Sequence, residues 1–173
     1  MWYDYYKSSI GTIYVVVDEI GVRKIEIFED KWKEYYESNK NLLEYDKSVC
    51  KKVTSQLEEY FNGKRKSFDL PLSIDTTEFR AKVWRELINI PYGETSSYSD
   101  IGSAIGNPKG VRAIGGANKS NEIPIIIPCH RVIGKSGSLV GYAGDNTHIQ
   151  RYLLDLEKKY SYIKVEGKYF NKV

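Results

Sequence analysis

The amino-acid sequence predicts an α/β protein of the α+β type, with a small strand-rich N-terminal domain and a mainly helical C-terminal domain that contains a helix-turn-helix. Two observations support this prediction. β-branched and aromatic residues dominate a long stretch near the N-terminus, and helix-capping signals are dense after residue 75. The segment GKRKSFDLPLSID between them has neither pattern. We therefore expect an N-terminal domain with one helix over residues 1–72 and a C-terminal domain over residues 73–173.

The N-terminal domain is predicted to start with strands and to continue into a helix. Residues 10–28, IGTIYVVVDEIGVRKIEIF, are rich in β-branched residues, and the turn-like DEIG divides them, which predicts a hairpin or meander. Residues 47–62 place apolar side chains at helical spacing. Gly63 follows them, and glycine is typical just after a helix C-terminus.

Two capping boxes open the C-terminal domain. Asp75 and Glu78 predict a helix start ahead of TEFRAKVWRELINI, whose apolar residues share one face. Ser97 and Asp100 predict the start of a second, short helix.

A third helix is predicted directly after the second. Gly106 ends the second helix, and Asn107 as N-cap with Pro108 as first helical residue predicts a helix through about Asn118. Two short helices joined by a tight turn that contains glycine indicate a helix-turn-helix.

The third helix is unusual because it contains several glycines. Each costs ~1 kcal/mol relative to alanine in a helix interior; they are Gly110, Gly115 and Gly116. Gly110, Ala113 and Ala117 would form a smooth stripe that lets a large partner approach the backbone, with Arg112 projecting beside it. A close helix-helix crossing inside the protein explains the same residues, so both interpretations remain open.

Residues 123–134, IPIIIPCHRVIG, combine an apolar run with a cysteine, a histidine and an arginine. One interpretation is a buried strand that ends in a structural cysteine. In the other, Pro128 is the first residue of a helical turn and places Cys129 at a helix N-terminus, where the macrodipole favours a thiolate. His130 would supply a base, and a bridging water is needed because adjacent residues of a helical turn point ~100° apart.

A third group could orient the histidine. Glu157 borders the apolar face of the predicted helix THIQRYLLDLEKKY, where a carboxylate is costly unless it is paired. On pattern alone, a carboxylate at the rim that reaches water is the favoured interpretation. We expect no metal site, because besides Cys129 and His130 only Cys50 and His148 offer soft or imidazole ligands and no CxxC or HxxxH spacing exists.

Composition and charge limit the function classes. The 173 residues are 41% hydrophobic, which excludes a disordered chain. We expect neither a signal peptide nor a membrane span, because MWYDYYKSSI has no basic region followed by a long apolar stretch and no run approaches ~18 apolar residues. One pair of cysteines is weak evidence of secretion, so we expect a cytoplasmic protein. Residues 1–79 contain 12 Lys and Arg against 15 Asp and Glu, but residues 80–173 contain 14 against 8. This asymmetry fits a polyanionic partner of the basic half, although scattered solvated lysines would give the same counts.

Two segments of the C-terminal part resemble the O6-alkylguanine-DNA alkyltransferases over about residues 76–158. They are PCHRVIG, preceded by NEIPIII and followed by GSLVGYAGD, and IPYGETSSYSDIGSAIGNPKGVRAIGGAN. The resemblance implies DNA repair without a cofactor: Cys129 attacks the alkyl carbon of O6-alkylguanine or O4-alkylthymine and keeps the group. Such a protein is consumed in one turnover.

The resemblance also implies roles for individual residues. His130 takes the thiol proton through a water, and Glu157 stabilises the resulting imidazolium. Asn121 corresponds to a hinge asparagine that braces the turn before the active-site segment. Tyr98 corresponds to a tyrosine that donates a hydrogen bond or proton to guanine N3. The base is expected to contact the carbonyls of Cys129 and Val132, the amide of Ala143, and the adjoining Tyr142 and Gly144.

By the same resemblance, a monomer binds double-stranded DNA with the third helix in the minor groove and the alkylated guanine flipped out. Arg112 would fill the gap in the duplex. The other expected DNA contacts are Tyr98, Gly110, Val111, Ala113 and Gly115. Glu122 departs from the family, which has proline after the hinge asparagine, and it adds negative charge near the expected DNA path.

Two functions of other classes fit part of the sequence. A helix-turn-helix module that only binds DNA explains residues 97–118 but gives Cys129 no role. A thiol hydrolase uses Cys129 and His130 but leaves the glycine-rich helix unexplained.

Overall fold

The computed structural model of the chain describes residues 1–139, 142, 146–165 and 168–171. The chain forms two compact units, one of Met1–Asp75 with Glu122–Pro124 and one of Thr76–Asn121 with Ile125–Val173. The first unit is strand-rich and the second is mainly helical, which confirms the predicted fold class. Among the described residues, no helix is both long and apolar enough to span a bilayer.

A four-stranded sheet forms the first unit. Its strands are β1 (Trp2–Ser8), β2 (Gly11–Val17), β3 (Val22–Glu26) and β4 (Glu44–Tyr45), in the order β3-β2-β1-β4. β1, β2 and β3 pair antiparallel, whereas β4 pairs parallel with β1. The predicted hairpin is confirmed as β2 and β3. Asp18 forms its turn, because the Asp18 carboxylate accepts hydrogen bonds from the backbone of Ile20 and Gly21 at 2.8 and 3.0 Å.

Two helices accompany this sheet, α1 (Glu29–Asn39) and α2 (Lys47–Phe61). The predicted helix is α2, which Asp46 caps at its start and Gly63, with φ +69°, follows. The sequence predicts one helix here and the structure has a second. α1 buries only Trp32 and is otherwise polar, so its sequence has no apolar stripe to reveal it.

The second unit consists of helices, short strands and one 3₁₀ turn. Its elements are α3 (Glu78–Asn89), β5 (Ser96–Ser97), α4 (Tyr98–Ala104), α5 (Val111–Lys119), a 3₁₀ turn (Cys129–Arg131), β6 (Val132–Ile133), α6 (Thr147–Ser161), β7 (Tyr162–Val165) and β8 (Lys168–Asn171). α5 packs on α3 and α4, and the 3₁₀ turn packs on α3 and α6. β5 pairs with β6 in parallel, which ties the start of α4 to the end of the turn.

The predicted helix starts are partly confirmed. The capping box of Ser97 and Asp100 is present at α4. The predicted box with Asp75 is wrong, because Thr77 caps α3 and accepts a hydrogen bond from the Arg80 amide at 3.3 Å. Asp75 lies two residues too early to reach the first turn of that helix.

The third predicted helix exists as α5 but starts later than expected. The residue before it, Gly110, is its N-cap, so the prediction of Asn107 as N-cap is wrong. Residues 107–110 form a turn instead, in which the Gly110 amide donates to Asn107 O at 3.0 Å. A Cβ atom on Gly110 would overlap the Asn107 side chain, so this glycine serves the turn. α4, this turn and α5 form the predicted helix-turn-helix.

Candidate active site

Cys129 is the first residue of the buried 3₁₀ turn. Its backbone amide donates to Ile127 O at 2.8 Å, and the Arg131 amide donates to Pro128 O at 3.0 Å. Pro128 is the N-cap, so its prediction as first helical residue is off by one position. The cysteine is only 5% exposed because the apolar run before it is buried. The interpretation of that run as a regular strand is wrong.

Burial raises the pKa of the Cys129 thiol to about 11. Hydrogen bonds from the Asn121 side chain and from the amides of Cys129 and His130 act in the opposite direction but do not outweigh burial. A single 3₁₀ turn has too small a dipole to hold a thiolate here. The amides at the start of the turn favour the thiolate, as expected, but burial outweighs them and the net shift of the Cys129 pKa is upward.

His130 and Glu157 form a fully buried pair. His130 Nε2 lies 2.6 Å from Glu157 Oε1, and both side chains are 0% exposed. The interpretation of Glu157 as a rim carboxylate is wrong. Burial acts to raise the pKa of Glu157, but the attraction of His130 and Arg131 outweighs it and holds that pKa well below its ordinary value. Glu157 is therefore ionised and fixes the orientation of the imidazole.

Arg131 joins this pair, and the sequence analysis missed it. Its Nε donates to Glu157 Oε2 at 2.9 Å and its Nη2 donates to Oε1 at 3.1 Å, a two-point contact. Nη1 donates to Ile90 O at 2.6 Å, and the guanidinium lies over the Tyr92 ring, 5.7 Å from its centroid. An arginine inside an apolar segment needs a buried partner, and that signal could have linked Arg131 to Glu157.

A backbone amide also donates a hydrogen bond to the Glu157 carboxylate. The Gly93 amide donates to Oε2 at 3.0 Å. Gly93 has φ +80°, and a Cβ atom there would overlap the side chain of Ser161, whose hydroxyl donates to Glu157 O at 2.6 Å. The carboxylate, which lies on α6, is thus held by the 3₁₀ turn and by the loop after α3.

Asn121 braces the segment that leads to the cysteine. Its Nδ2 donates to Ile127 O at 2.9 Å, and its side chain also hydrogen-bonds the Cys129 thiol. Ile125 between them has φ +73°, a left-handed conformation that is strained for a β-branched residue. The packing around Ile125, which is 1% exposed, maintains this strained conformation.

Tyr98, the first residue of α4, lies beside the cysteine. Burial, and next the charge of an ionised Cys129, raise the pKa of Tyr98, while a hydrogen bond from the Asn118 side chain lowers it. Asn118 is buried on α5, and its Nδ2 also lies 3.4 Å from Cys129 O. Tyr98, Asn118 and Cys129 therefore belong to one cluster.

The residues expected around the base are partly described. Val132 follows the 3₁₀ turn, and its carbonyl accepts from Gln150 Nε2 at 2.9 Å. The same nitrogen lies 3.1 Å from His130 O, so Gln150 fixes this stretch of backbone. Tyr142 is buried, and burial and then an ionised Cys129 raise its pKa well above the ordinary value. Ala143 and Gly144 lie outside the described residues.

The residues expected to contact DNA lie on or beside α5. Val111, Arg112 and Ala113 are exposed in its first turn. No atom lies within 4 Å of a Cβ atom built on Gly116, and a Cβ on Gly115 would lie 3.9 Å from Tyr98. These two glycines are therefore not required by a helix crossing, and that interpretation is wrong for them.

The predicted smooth stripe is nevertheless not the one observed. Ala117 is buried, and Trp84 Nε1 donates to its carbonyl at 2.8 Å. The internal crossing instead uses Gly102, where a Cβ atom would lie 2.9 Å from Asn107 O and 3.0 Å from Ile114 Cδ1. The exposed small residues of α5 are Ala113 and Gly116.

Two family models match the chain. The DNA binding domain of 6-O-methylguanine DNA methyltransferase matches residues 78–159, and its ribonuclease-like domain matches residues 1–74. The constitutive methylated-DNA–protein-cysteine methyltransferase of Bacillus subtilis is 42% identical over 157 residues, which are 91% of this chain and 95% of that protein. The methyltransferase of Methanosarcina barkeri is 44% identical over 158 residues, 91% of this chain and 98% of its own length.

Two solved structures are also similar to the chain over most of its length. The crystal structure of Mycobacterium tuberculosis OGT in complex with DNA matches with a TM-score of 0.82 and 37% identity, covering 92% of this chain and 94% of that one. The O6-methylguanine methyltransferase of the same organism matches with a TM-score of 0.80 and 38% identity, covering 91% of this chain and 94% of that one.

Proposed function

Because this chain belongs to the 6-O-methylguanine DNA methyltransferase family of DNA repair enzymes, we propose that it repairs DNA by transferring the alkyl group of O6-alkylguanine irreversibly to Cys129. O4-alkylthymine would be a second substrate. One observation supports the assignment above the others: Cys129 precedes a histidine whose Nε2 lies 2.6 Å from a buried carboxylate. A cysteine, a base and a group that orients the base are the parts that nucleophilic catalysis requires.

The thiol is proposed to lose its proton during attack. As the Cys129 sulfur bonds to the alkyl carbon, the carbon–O6 bond breaks and the thiol proton moves through a water to His130. Glu157 already holds Nε2, so Nδ1 is the nitrogen that receives the proton. The imidazolium then lies beside a carboxylate, which stabilises it in a site from which water is largely excluded.

The leaving base also needs a proton or a strong hydrogen bond. Tyr98 is proposed to donate to guanine N3, which makes the base a better leaving group. In the sum of the reaction, the thiol hydrogen is replaced by the alkyl group and guanine regains its proton. The thioether of Cys129 has no route back to a thiol in this chemistry, so each molecule acts once.

DNA is the proposed partner, as it is of Mycobacterium tuberculosis OGT in its complex. Three exposed residues of α5 have side chains no larger than valine: Val111, Ala113 and Gly116. Such a face suits close approach to the minor groove. Cys129 is 5% exposed, so the damaged base is proposed to leave the duplex to reach it, and Arg112 is proposed to fill the gap. We expect a monomer to act on each lesion.

The proposal is tested with a duplex oligonucleotide that contains one O6-methylguanine. Excess oligonucleotide should convert the protein completely to a species heavier by one methyl group and no further, as intact-mass analysis would reveal. A protein that binds the duplex but keeps its mass would be only a DNA-binding module. Repeated turnover of a thioester substrate without a stable adduct would indicate a thiol hydrolase.

A further inference from the structure

One edge of the four-stranded sheet in the first unit is only partly covered. β4 pairs with β1 at Trp2 and Tyr3 alone, and the chain then turns into α2. Within the described part of the chain, no strand pairs with this edge of β1 over residues 4–8. An uncovered edge offers its backbone groups to a further strand.

The backbone groups of Tyr5 and Lys7 point to this open edge. Tyr3 O accepts a hydrogen bond from the Asp46 amide at 3.1 Å, which shows the side to which Tyr3 points. Successive residues of a strand point their backbone groups to alternate sides, so Tyr5 and Lys7 point the same way as Tyr3. Their two amides and two carbonyls make no backbone hydrogen bond on this side among the described residues.

A groove of about 570 Å³ lies between this edge and the side of α2. The helix lines it with three small polar side chains, two lysines and a glutamate, and β1 lines it with four consecutive residues. They are Ser48, Thr54, Ser55, Lys47, Lys51 and Glu58 from α2, and Asp4, Tyr5, Tyr6 and Lys7 from β1. A groove between a strand edge and a helix suits an extended peptide that binds by strand addition.

The charged groups of the groove favour an acidic ligand. Among the described residues, the three lysines Lys7, Lys47 and Lys51 form no ion pair, whereas five other lysines do. The groove has two carboxylates, Glu58 and Asp4, and that of Asp4 is buried. The first unit has more acidic than basic residues overall. Lysines without acidic partners in such a unit are therefore a local feature of the groove.

The two faces of β1 beside the edge differ in character. The Tyr6 ring lies 5.8 Å from the Phe61 ring of α2, so Tyr6 faces the helix and Tyr5 faces the opposite side. The Tyr5 and Tyr45 rings lie 6.4 Å apart and are 44% and 51% exposed. The side chains of an added strand would alternate between the lysines of α2 on one face and these two tyrosines on the other.

We propose that this edge binds an extended acidic segment of a partner protein as a fifth strand of the sheet. The backbone of the segment pairs with Tyr5 and Lys7. Its carboxylates face Lys47 and Lys51, and its apolar side chains contact Tyr45. A DNA backbone offers acceptors only and would leave the two carbonyls of the edge unpaired. This site is separate from alkyl transfer, because the groove lies wholly in the first unit.

The test uses a fluorescein-labelled peptide of alternating glutamate and valine residues, long enough to span the edge, ~17 Å at ~3.3 Å per residue. Fluorescence anisotropy should show saturable binding by the parent and ~10-fold weaker binding by the double variant Lys47→Glu, Lys51→Glu. Both changes lie on the exposed side of α2 near its start, where glutamate suits the helix dipole, so the fold should be kept.

Lys52→Glu is the matched control on the same helix. Lys52 lies outside the groove and pairs with Asp69 at 3.3 Å. This variant should bind the peptide within about twofold of the parent. A peptide in which lysine replaces glutamate should not bind the parent measurably.

Two measurements test the backbone pairing itself. Amide hydrogen exchange at Tyr5 and Lys7 should slow at least ~10-fold when the peptide is bound. N-methylation of one alternate set of peptide amides should abolish binding, because that set faces β1, whereas methylation of the other set should leave binding intact.

Four results would overturn the inference. They are the absence of saturable binding, equal binding of the lysine peptide, unchanged exchange at Tyr5 and Lys7, and binding that survives both methylations. In those cases the lysines only keep the edge from pairing with other chains. A loss of affinity for an unmodified DNA duplex in the double variant that equals its loss for the peptide would assign the lysines to DNA and also overturn it.

Discussion

The two cysteines of this protein are both buried, yet their surroundings differ in kind. Cys50 on α2 is 0% exposed, and burial followed by the carboxylates of Asp4 and Asp46 raises its thiol pKa to about 12. Cys129 is 5% exposed, and burial raises its pKa to about 11 against hydrogen bonds that favour the thiolate. Burial is common to both. The neighbours differ: carboxylates disfavour the thiolate of Cys50, whereas hydrogen-bond donors favour the thiolate of Cys129.

The two cysteines also differ in whether a histidine lies next to them. Residues 1–75 and 122–124, which form the first unit, contain no histidine, whereas the second unit places His130 next to Cys129. Glu157 and Arg131 orient that histidine from inside the protein. A reactive cysteine in this protein is therefore one with a route for its proton, since neither thiol has a low pKa at rest.

Removal of each thiol in turn gives the largest expected effect. Cys129→Ser should abolish alkyl transfer, because a serine hydroxyl is a far weaker nucleophile than the thiolate formed during attack. DNA affinity should remain close to that of the parent. Cys50→Ser is the matched control and should transfer at the parent rate. Gel-shift and single-turnover assays on the same preparations measure both properties, and transfer by Cys129→Ser would contradict the assignment.

Loss of Arg131 should cost the most stability. Arg131→Met leaves the buried Glu157 carboxylate with one partner fewer, and we expect a loss of ~3–5 kcal/mol in the free energy of unfolding. Lys82→Met is the matched control, because the Lys82–Glu78 pair is as short, 2.9 Å, but largely exposed. That change should cost at most ~1 kcal/mol. Urea unfolding compares the two, and equal losses would show that burial of the pair is unimportant.

Glu157→Gln tests the proton route directly. The amide cannot stabilise the imidazolium as the carboxylate does, so alkyl transfer should slow by ~100-fold while DNA affinity barely changes. Single-turnover rates across pH measure the effect. Superimposable rate profiles for parent and variant would reject a role of Glu157 in the reaction.

Acid unfolding should report the charge of Glu157. Its folded pKa lies well below its ordinary value, so the ionised form stabilises the fold above pH ~4.3 and this contribution is lost as the pH falls. Below ~4.3 the parent should therefore lose stability more steeply than Glu157→Gln, by up to ~1.4 kcal/mol per pH unit. Parallel slopes would mean that the carboxylate is no more acidic in the fold than outside it.

Arg112→Ala should give the smallest and most selective effect. If Arg112 fills the gap left by a flipped base, the variant should repair matched duplexes more slowly, mismatched ones less so, and free alkylguanine at the parent rate. A phosphate anchor would instead weaken binding to every duplex and reduce the salt slope by about one unit. Transfer rates at saturating protein separate the two, and equal losses on all three substrates would refute the gap-filling role.

Local signals explain what the sequence predicted well. The hairpin of β2 and β3, the helix α2 with Gly63 after it and the capping box at Ser97 depend on residues close together in the chain. The sequence does not predict α1, because this helix buries only one tryptophan. The predicted start of α5 is too early, because Asn107 and Pro108 are as common in turns as at helix starts.

Long-range contacts explain what remained open. His130 and Glu157 are 27 residues apart, and the spacing of Glu157 on α6 fits both an exposed rim and a buried pair. Only the packing of the 3₁₀ turn against α6 distinguishes the two. Arg131 and Asn118 were not identified for the same reason, since their partners come from other elements of the second unit.

Peptide mapping after reaction tests the central claim most directly. The protein is incubated with a duplex that contains O6-methylguanine, digested, and the methylated residue is identified by tandem mass spectrometry. The account predicts that the methyl group is found on the peptide with Cys129, in an amount equal to the guanine repaired, and that the peptide with Cys50 is unmodified. Methylation of Cys50, or repair of guanine with Cys129 unmodified, would contradict it.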